Sequence, residues 1–574
     1  MGAGGIMFRL ILFCIAIICQ ASAKTDWKIL GVEEPIRDAI EHQLIREEAY
    51  ITMLSEEHLK AQVSAIIRAI LQPQGYYSSD ITCQKEQKRI TITVKKNQPI
   101  LIQHIDFELP SSLDTPKNIS ELNHDFKPYI GHTFTLDHYE SIKNNFAVHF
   151  YEQGYLRASI SDTTAHVDTQ SKKASIHLRL KPGQRYKFGR LIGKDLPYND
   201  RLLSRFGDFR SGQAFQTIQV DELRDNLLKS GLFTKLTVKP SIDEKTRTID
   251  VHVIGEPVKA DSWSLSFGLN RRSDLNLTVK NFNNRVTPWA DQLATQISIS
   301  LQKTREDQIP FGFKSQYTYP GLNPLTDYAG INFNIEHMLK TANLFSNRNS
   351  LALLYHRRHH FDSIDLSLNL QNEVIFNQDN TEKSSVILYP NITTHHTRGK
   401  ELSLPYDLTR IRSHFSLGTI NFNENDIFAK IQLGVRGAIS LGNKLTLFQD
   451  SGTEVLWNQK YQDTPTNMRI YAGGAYSVRG FGLQSLGPAK SALQFSNEVI
   501  YHINETFGAG VFLDSAWLRN INNQYQSYHA WGISGDIFLP MGILQVSIGA
   551  PISAEQKKSL IQIRLIPGLE VLET

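Results

Sequence analysis

The run Gly473-Gly474-Ala475-Tyr476-Ser477-Val478-Arg479-Gly480-Phe481 sets one arginine inside a glycine-rich turn among β-rich sequence. Glycines permit φ > 0 and close backbone approach, so the loop folds tightly onto something, and the arginine needs a partner there. Other chemistries suggested by residue type fail on spacing. The pairs His359-His360 and His395-His396 offer metal ligands. Neighbours on one strand point to opposite faces and cannot close a coordination shell, so these read as loop residues or inward-facing strand residues. Asp514-Ser515 has no histidine placed to orient it as part of a hydrolytic triad. Gly480-Phe481-Gly482 lacks the third glycine of a dinucleotide fingerprint, and the chain has no Gly-x-Ser-x-Gly elbow, P-loop or His-Glu-x-x-His helix. The expectation is a protein that is not an enzyme and has neither a metal nor another cofactor.

The elements that position the loop follow from periodicity. A chain of 574 residues with 41% hydrophobic residues has material for several cores, so it is multidomain. Its formal charge of +4, without long runs of one sign, argues against a nucleic-acid partner. Residues 1–23 read as a secretory signal: Arg9, an apolar run from Leu10 to Cys19, and Ala21-Ser22-Ala23 as the cleavage site. The run is too short for the ~20 residues of a spanning helix. Of three cysteines only Cys83 then remains, so the mature chain forms no internal disulfide.

From Lys24 to Pro257 one unit recurs at intervals of about 80 residues. Amphipathic helices end at a glycine followed by an apolar or aromatic pair: Gly75-Tyr76-Tyr77, Gly154-Tyr155-Leu156 and Gly231-Leu232-Phe233. Each glycine suits a left-handed helix stop. A preceding strand, such as Tyr186 to Ile192, completes a β-α-α-β-β order, which gives modules over residues 24–99, 100–184 and 185–257. Each small sheet exposes an edge, which either accepts an extended segment of another chain or is blunted in a spacer.

From Asp261 onward strict alternation takes over. Trp263, Leu265, Phe267 and Leu269 alternate with serine and glycine, and Ile364, Leu366, Leu368 and Leu370 alternate with polar residues. Apolar faces in segments of about 9 to 12 residues, with aromatics such as Tyr317, Tyr319, Trp457 and Tyr461 near their ends, mark a transmembrane β-barrel. Residues 261–574 have room for about 16 antiparallel strands.

The modules resemble POTRA domains, and modules, barrel and the Val478-Arg479-Gly480-Phe481 motif together resemble the BamA/TamA superfamily of outer-membrane assembly proteins. The resemblance implies periplasmic modules before a barrel in the outer membrane of a Gram-negative bacterium. It implies that the motif's loop folds into the barrel, where Arg479 pairs with Asp514 and lies over Phe512, two residues that share one strand face. Such a contact either pins the loop for stability or latches access to the lumen. Three modules, Gly473-Gly474, Leu388-Tyr389-Pro390 and Pro540-Met541-Gly542 resemble the TamA branch. That branch implies insertion or secretion of β-barrel and autotransporter proteins, with unfolded outer-membrane proteins as substrates, outer-membrane lipid around the barrel and a TamB-type inner-membrane-anchored partner. The alternatives are a two-partner-secretion pore and the outer-membrane terminus of a phospholipid-transport pathway. The resemblance also implies a lateral gate between first and last strands, at Trp263, Leu265 and Phe267 against Leu565, Pro567 and Gly568. Pro567 donates no ladder bond, which suits either a gate or ordinary fraying of the chain end.

Overall fold

The computed structural model describes residues 25–567 other than 87–88, 114, 270–274, 302–308, 343, 377–381, 400–407, 423–425, 443, 540–541 and 553–558. The signal sequence and Gly568 lie outside the described residues. The chain divides into two compact units, residues 1–190 with 209–220 and 240–250, and residues 191–208 with 221–239 and 251–574.

Module 1 holds β1 (Asp26–Leu30), α1 (Glu34–Arg46), the short α2 (Glu48–Ile51), α3 (Glu56–Leu71), β2 (Asp80–Glu86) and β3 (Arg89–Lys95). Its strand order is β1-β3-β2, with β1 parallel to β3. Leu59, Val63, Ile66 and Ile67 fall on one face of α3 and pack with Ile90, Ile92 and Val94 of β3, the burial that alternation on the strand and helical spacing require. Module 2 repeats the plan with β4 (Leu101–Glu108), α4 (Pro116–Phe126), α5 (Leu136–Glu152), β5 (Ser159–Asp168) and β6 (Lys173–Lys181), in order β4-β6-β5. Module 3 has β7 (Lys187–Gly193), α6 (Asp200–Leu203), α7 (Thr217–Lys229), β8 (Phe233–Asp243) and β9 (Thr248–Pro257), in order β7-β9-β8.

The recurring glycines do more than stop helices. Gly75 and Gly154 have φ of +92° and +94°, and a Cβ on Gly154 would stand 2.5 Å from the Phe215 carbonyl oxygen. The Gly154 carbonyl accepts from the Tyr186 N–H at 2.9 Å while the Phe215 N–H donates to the Tyr186 carbonyl at 3.0 Å. Gly75, Ile100 and Phe134 make the same pair of bonds one module earlier, at 2.9 and 2.8 Å. The glycine is therefore fixed twice, by its left-handed backbone and by the segment that packs on it.

At the joint of modules 2 and 3, Arg157 Nη2 lies 2.6 Å from Glu244 Oε1, and the Tyr186 hydroxyl donates to Glu244 Oε2 at 2.7 Å. The Tyr186 bond first, and then Arg157, hold the Glu244 carboxyl below the ordinary carboxylate range. A carboxylate with a depressed folded-state pKa stabilises the joint above its unfolded value of about 4.3, and that contribution is lost as pH falls through the folded value. The expected result is that Glu244→Gln lowers the unfolding temperature of the modules at neutral pH, and that its gap from wild type narrows as pH falls through the depressed folded-state value. Scanning fluorimetry of both proteins across pH measures this, and a gap that does not narrow as pH falls below the ordinary carboxylate range contradicts it. The group is exposed, so the effect is small.

Among the described residues the last sheet has 17 strands in chain order from β10 (Asp261–Leu269) to β26 (Leu560–Pro567). The three-residue β21 (Ile470–Ala472) belongs to a loop, and β20 (Leu445–Asn458) also pairs directly with β22 (Leu486–His502), so the wall itself has sixteen staves. Neighbours are antiparallel throughout, for example Ile364↔Thr394 between β16 (Asp362–Phe376) and β17 (Glu382–Gly399). Ile364, Leu366, Leu368 and Leu370 face outward while Gln371 and Glu373 are buried inside, so apolar residues face lipid and polar ones the lumen.

Strand length meets the expected 9 to 12 residues at β10, with 9, and exceeds it in the longer staves of the wall. β17 has 18 and β22 has 17, because the wall continues past the apolar band whose height the alternation measures. Between β17 and β18 (Leu408–Ile420) the register jumps from Leu388 to Asn391, so Pro390, which has no N–H to give, sits where the ladder is interrupted. Among the described residues β26 pairs with β25 (Gly542–Pro551), and no ladder joins β26 to β10.

Candidate functional site

The loop between β20 and β22 enters the lumen and is held at two ends. On the entering limb, Thr466 donates through its N–H to Glu373 Oε2 at 2.8 Å, and Asn467 and Gln371 exchange amide bonds. Glu373 also accepts from the Ser346 hydroxyl at 2.7 Å. Val478 and Phe481 then sink into an apolar cluster inside the barrel with Met468, Ile470, Leu486 and Leu518. Phe481 meets Tyr528 edge-on at 5.8 Å.

Between those two anchors Arg479 is fully buried. Its Nε and Nη2 grip Asp514 Oδ2 and Oδ1 at 2.8 Å each, a bidentate fork. Nη1 donates to Glu498 Oε2 at 2.8 Å and to Gln545 Oε1 at 3.1 Å, and Nη2 also donates to the Ser496 hydroxyl at 3.1 Å. All five guanidinium N–H groups are thereby used, and the Arg479 backbone N–H adds a bond to Asp514 at 2.9 Å. The guanidinium carbon lies 3.4 Å from the centroid of the Phe512 ring. That ring leaves no space for a side chain at 532, since a Cβ on Gly532 would stand 2.5 Å from it.

The site extends to the last strand. Arg564 of β26 donates to Glu498 Oε2 at 3.0 Å and to Gln545 Oε1 at 2.6 Å, so two arginines share Glu498. Gln562 accepts from the Gly480 N–H at 3.1 Å and donates to the Phe481 carbonyl at 2.8 Å. Gly480, at φ +88°, passes so close to β25 that its Cβ would stand 3.0 Å from the Gly549 carbonyl carbon. Tyr476 caps the edge: its hydroxyl accepts from the Leu565 N–H at 3.1 Å and donates to the Leu565 carbonyl at 3.3 Å.

The structure thus brings Arg479, Phe512 and Asp514 together and adds Glu498, Gln545, Arg564 and Tyr476, which sequence reasoning missed. The available signal was parity: Ser496 and Glu498 share the inward face of β22, and Gln562 and Arg564 that of β26. Trp263, Leu265 and Phe267 stand outward on β10, with Trp263 74% and Phe267 71% exposed. Leu565 and Pro567 lie on β26 in register with Leu544 and Gly542. His395 faces Asp365 at 3.9 Å, while His396 pairs with Asp362 at 2.6 Å and His359 abuts His360 at the adjoining hairpin.

Residues 226–565, which span this site, match the model of the Omp85 superfamily domain. The chain belongs to the Omp85 superfamily. The solved structure of BamA from Haemophilus ducreyi lacking POTRA domains 1-3 covers 81% of this chain and 100% of its own, at 15% identity and a TM-score of 0.66, which shows the common fold. CdiB from Escherichia coli (13% identity, 93% and 98% covered, TM-score 0.47) and CdiB from Acinetobacter baumannii (14%, 93% and 99%, 0.45) are more distant likenesses. As an Omp85 protein the chain is an outer-membrane barrel preceded by periplasmic POTRA-type modules.

Proposed function

We propose that this Omp85 protein is a TamA-type assembly factor, which inserts or secretes β-barrel and autotransporter proteins and works with a TamB-type inner-membrane-anchored partner. The observation that carries the reading is the last strand: among the described residues β26 has one ladder partner, and its inward face is gripped by the loop that bears Arg479. An unfolded outer-membrane protein offers strands whose backbone groups are unsatisfied in lipid, and an open edge accepts them as ladder bonds. This exchange needs no covalent step, no cofactor and no ATP. On this reading Arg479, Asp514 and Phe512 form the latch that holds the loop, and β10 with β26 forms the lateral gate. The apolar cluster around Val478 and Phe481 fills lumen space, which favours assembly over a passive secretion pore. Deletion of the gene is expected to lower the folded, protease-resistant autotransporter barrel in outer-membrane fractions several-fold, with recovery on complementation. Unchanged substrate levels after deletion would sink the reading.

A further inference from the structure

We propose that the barrel lumen contains a binding site for a phosphate-bearing group, formed by Arg410 and Arg412 on β18 above a glycine floor. This inference does not rest on the assembly reading. A cavity of about 490 Å³ opens at this wall, between β18 and the loop residues Tyr476 and Ser477. The two carboxylates that line it are already engaged. Asp450 is held by Arg436 through Nε at 3.0 Å, and Glu454 accepts from Gln432 at 2.8 Å and faces Lys430 at 3.6 Å. Among the described residues neither Arg410 nor Arg412 has a carboxylate within 4.0 Å. Arg410 stands directly across the ladder from Arg436, whose charge Asp450 already offsets, so the acid at this wall is spent on Arg436 and not on Arg410.

The floor is bare for a reason that packing does not supply. Gly434 is in register with Arg412 on one side and with Gly452 on the other. A Cβ at Gly434 would meet only the Ser451 carbonyl oxygen, at 3.9 Å, and one at Gly452 only that of Leu433, at 3.6 Å. Side chains fit at both positions, and their absence keeps the recess deep beneath two guanidinium groups. Across the recess stands Arg564, which is tied to Glu498 and Gln545. Planar guanidinium groups donating in pairs suit the oxygens of a phosphate, and the recess has room for the group to which the phosphate is attached.

Full-length protein in phosphate-free, zwitterionic detergent is titrated calorimetrically with inorganic phosphate and, separately, with a short-chain phosphatidic acid. Binding is expected for at least one probe, weakened about tenfold or more by Arg410→Gln/Arg412→Gln, in protein whose barrel band still shifts on heating. Gly434→Leu retains both arginines, fills the floor and is expected to weaken phosphatidic acid more than inorganic phosphate. It also serves if the double variant fails to fold. Phosphatidic acid bound about tenfold tighter than inorganic phosphate identifies a lipid headgroup as the source, and equal affinities identify free phosphate. Absence of binding up to about 10 mM of either probe, or wild-type affinity in both variants, overturns the site.

Discussion

Arg479→Ala is expected to destabilise the barrel by about 3 to 5 kcal/mol, the cost of leaving a buried ion pair without one partner. Asp514 is fully buried and Glu498 is 1% exposed. Without Arg479, Asp514 keeps only the Ser496 hydroxyl at 2.8 Å among its side-chain donors, and Glu498 depends on Arg564 and the neutral groups Gln545 and Ser534. Arg479→Lys retains the charge but brings three donors in place of five, so it cannot fork onto Asp514 and reach Glu498, Gln545 and Ser496 together. A large loss is therefore expected for lysine as well, though smaller than for alanine. The temperature at which the folded band shifts on an unheated gel reads the effect. Arg479→Met combined with Asp514→Asn is expected to recover part of it, because the uncompensated Asp514 charge is then gone. An unaltered transition in Arg479→Ala would show that water reaches both carboxylates.

How much of this was legible in the chain depends on where the information sits. The motif Val478–Phe481 was readable because apolar anchors, arginine and glycine lie within four residues, and Asp514 with Phe512 through the resemblance to the BamA/TamA superfamily, which implies that an aromatic and an acid two apart on one strand face meet the loop arginine. The alternation also announced the barrel, since an apolar face toward lipid leaves a period of two in every strand. Glu498, Gln545 and Arg564 were not readable as a set. Each is a lone polar residue on the inward face of an alternating strand, and only the curvature of the wall brings β22, β25 and β26 to one guanidinium. Nor does a tyrosine in a loop announce that its hydroxyl caps a strand edge. Strand length is legible at β10 and β25, with 9 and 10 residues, but not at β17 and β22: alternation records the height of the lipid band, whereas ladder bonds continue beyond it.

Joining β10 to β26 covalently is expected to abolish substrate assembly while leaving the barrel folded. Leu265 and Ile563 both face outward, at 61% and 63% exposure, so Leu265→Cys with Ile563→Cys presents one accessible thiol on each of the two strands, to be joined by bifunctional thiol reagents of graded length. Cys83, the free cysteine among the described residues, is buried in module 1, and Cys83→Ala removes it as a competitor. If incoming strands pair at the edge of β26, a closed seam removes that edge and assembly falls at least about tenfold, with recovery when a cleavable bridge is reduced. The same geometry fixes the sign of a companion change. Tyr476→Phe leaves the ring but frees the Leu565 N–H and carbonyl, so the edge is opened at the cost of about 0.5 to 1.5 kcal/mol for each lost hydrogen bond. Hydrogen exchange at Leu565 should then rise while the Arg479 loop stays protected, because its bonds to Asp514, Glu498 and Gln562 do not involve Tyr476. Assembly that survives the bridged seam excludes strand entry at β26. The tyrosine cap would then serve only to keep an open edge from pairing with the wrong chain, the hazard that every unpaired strand presents.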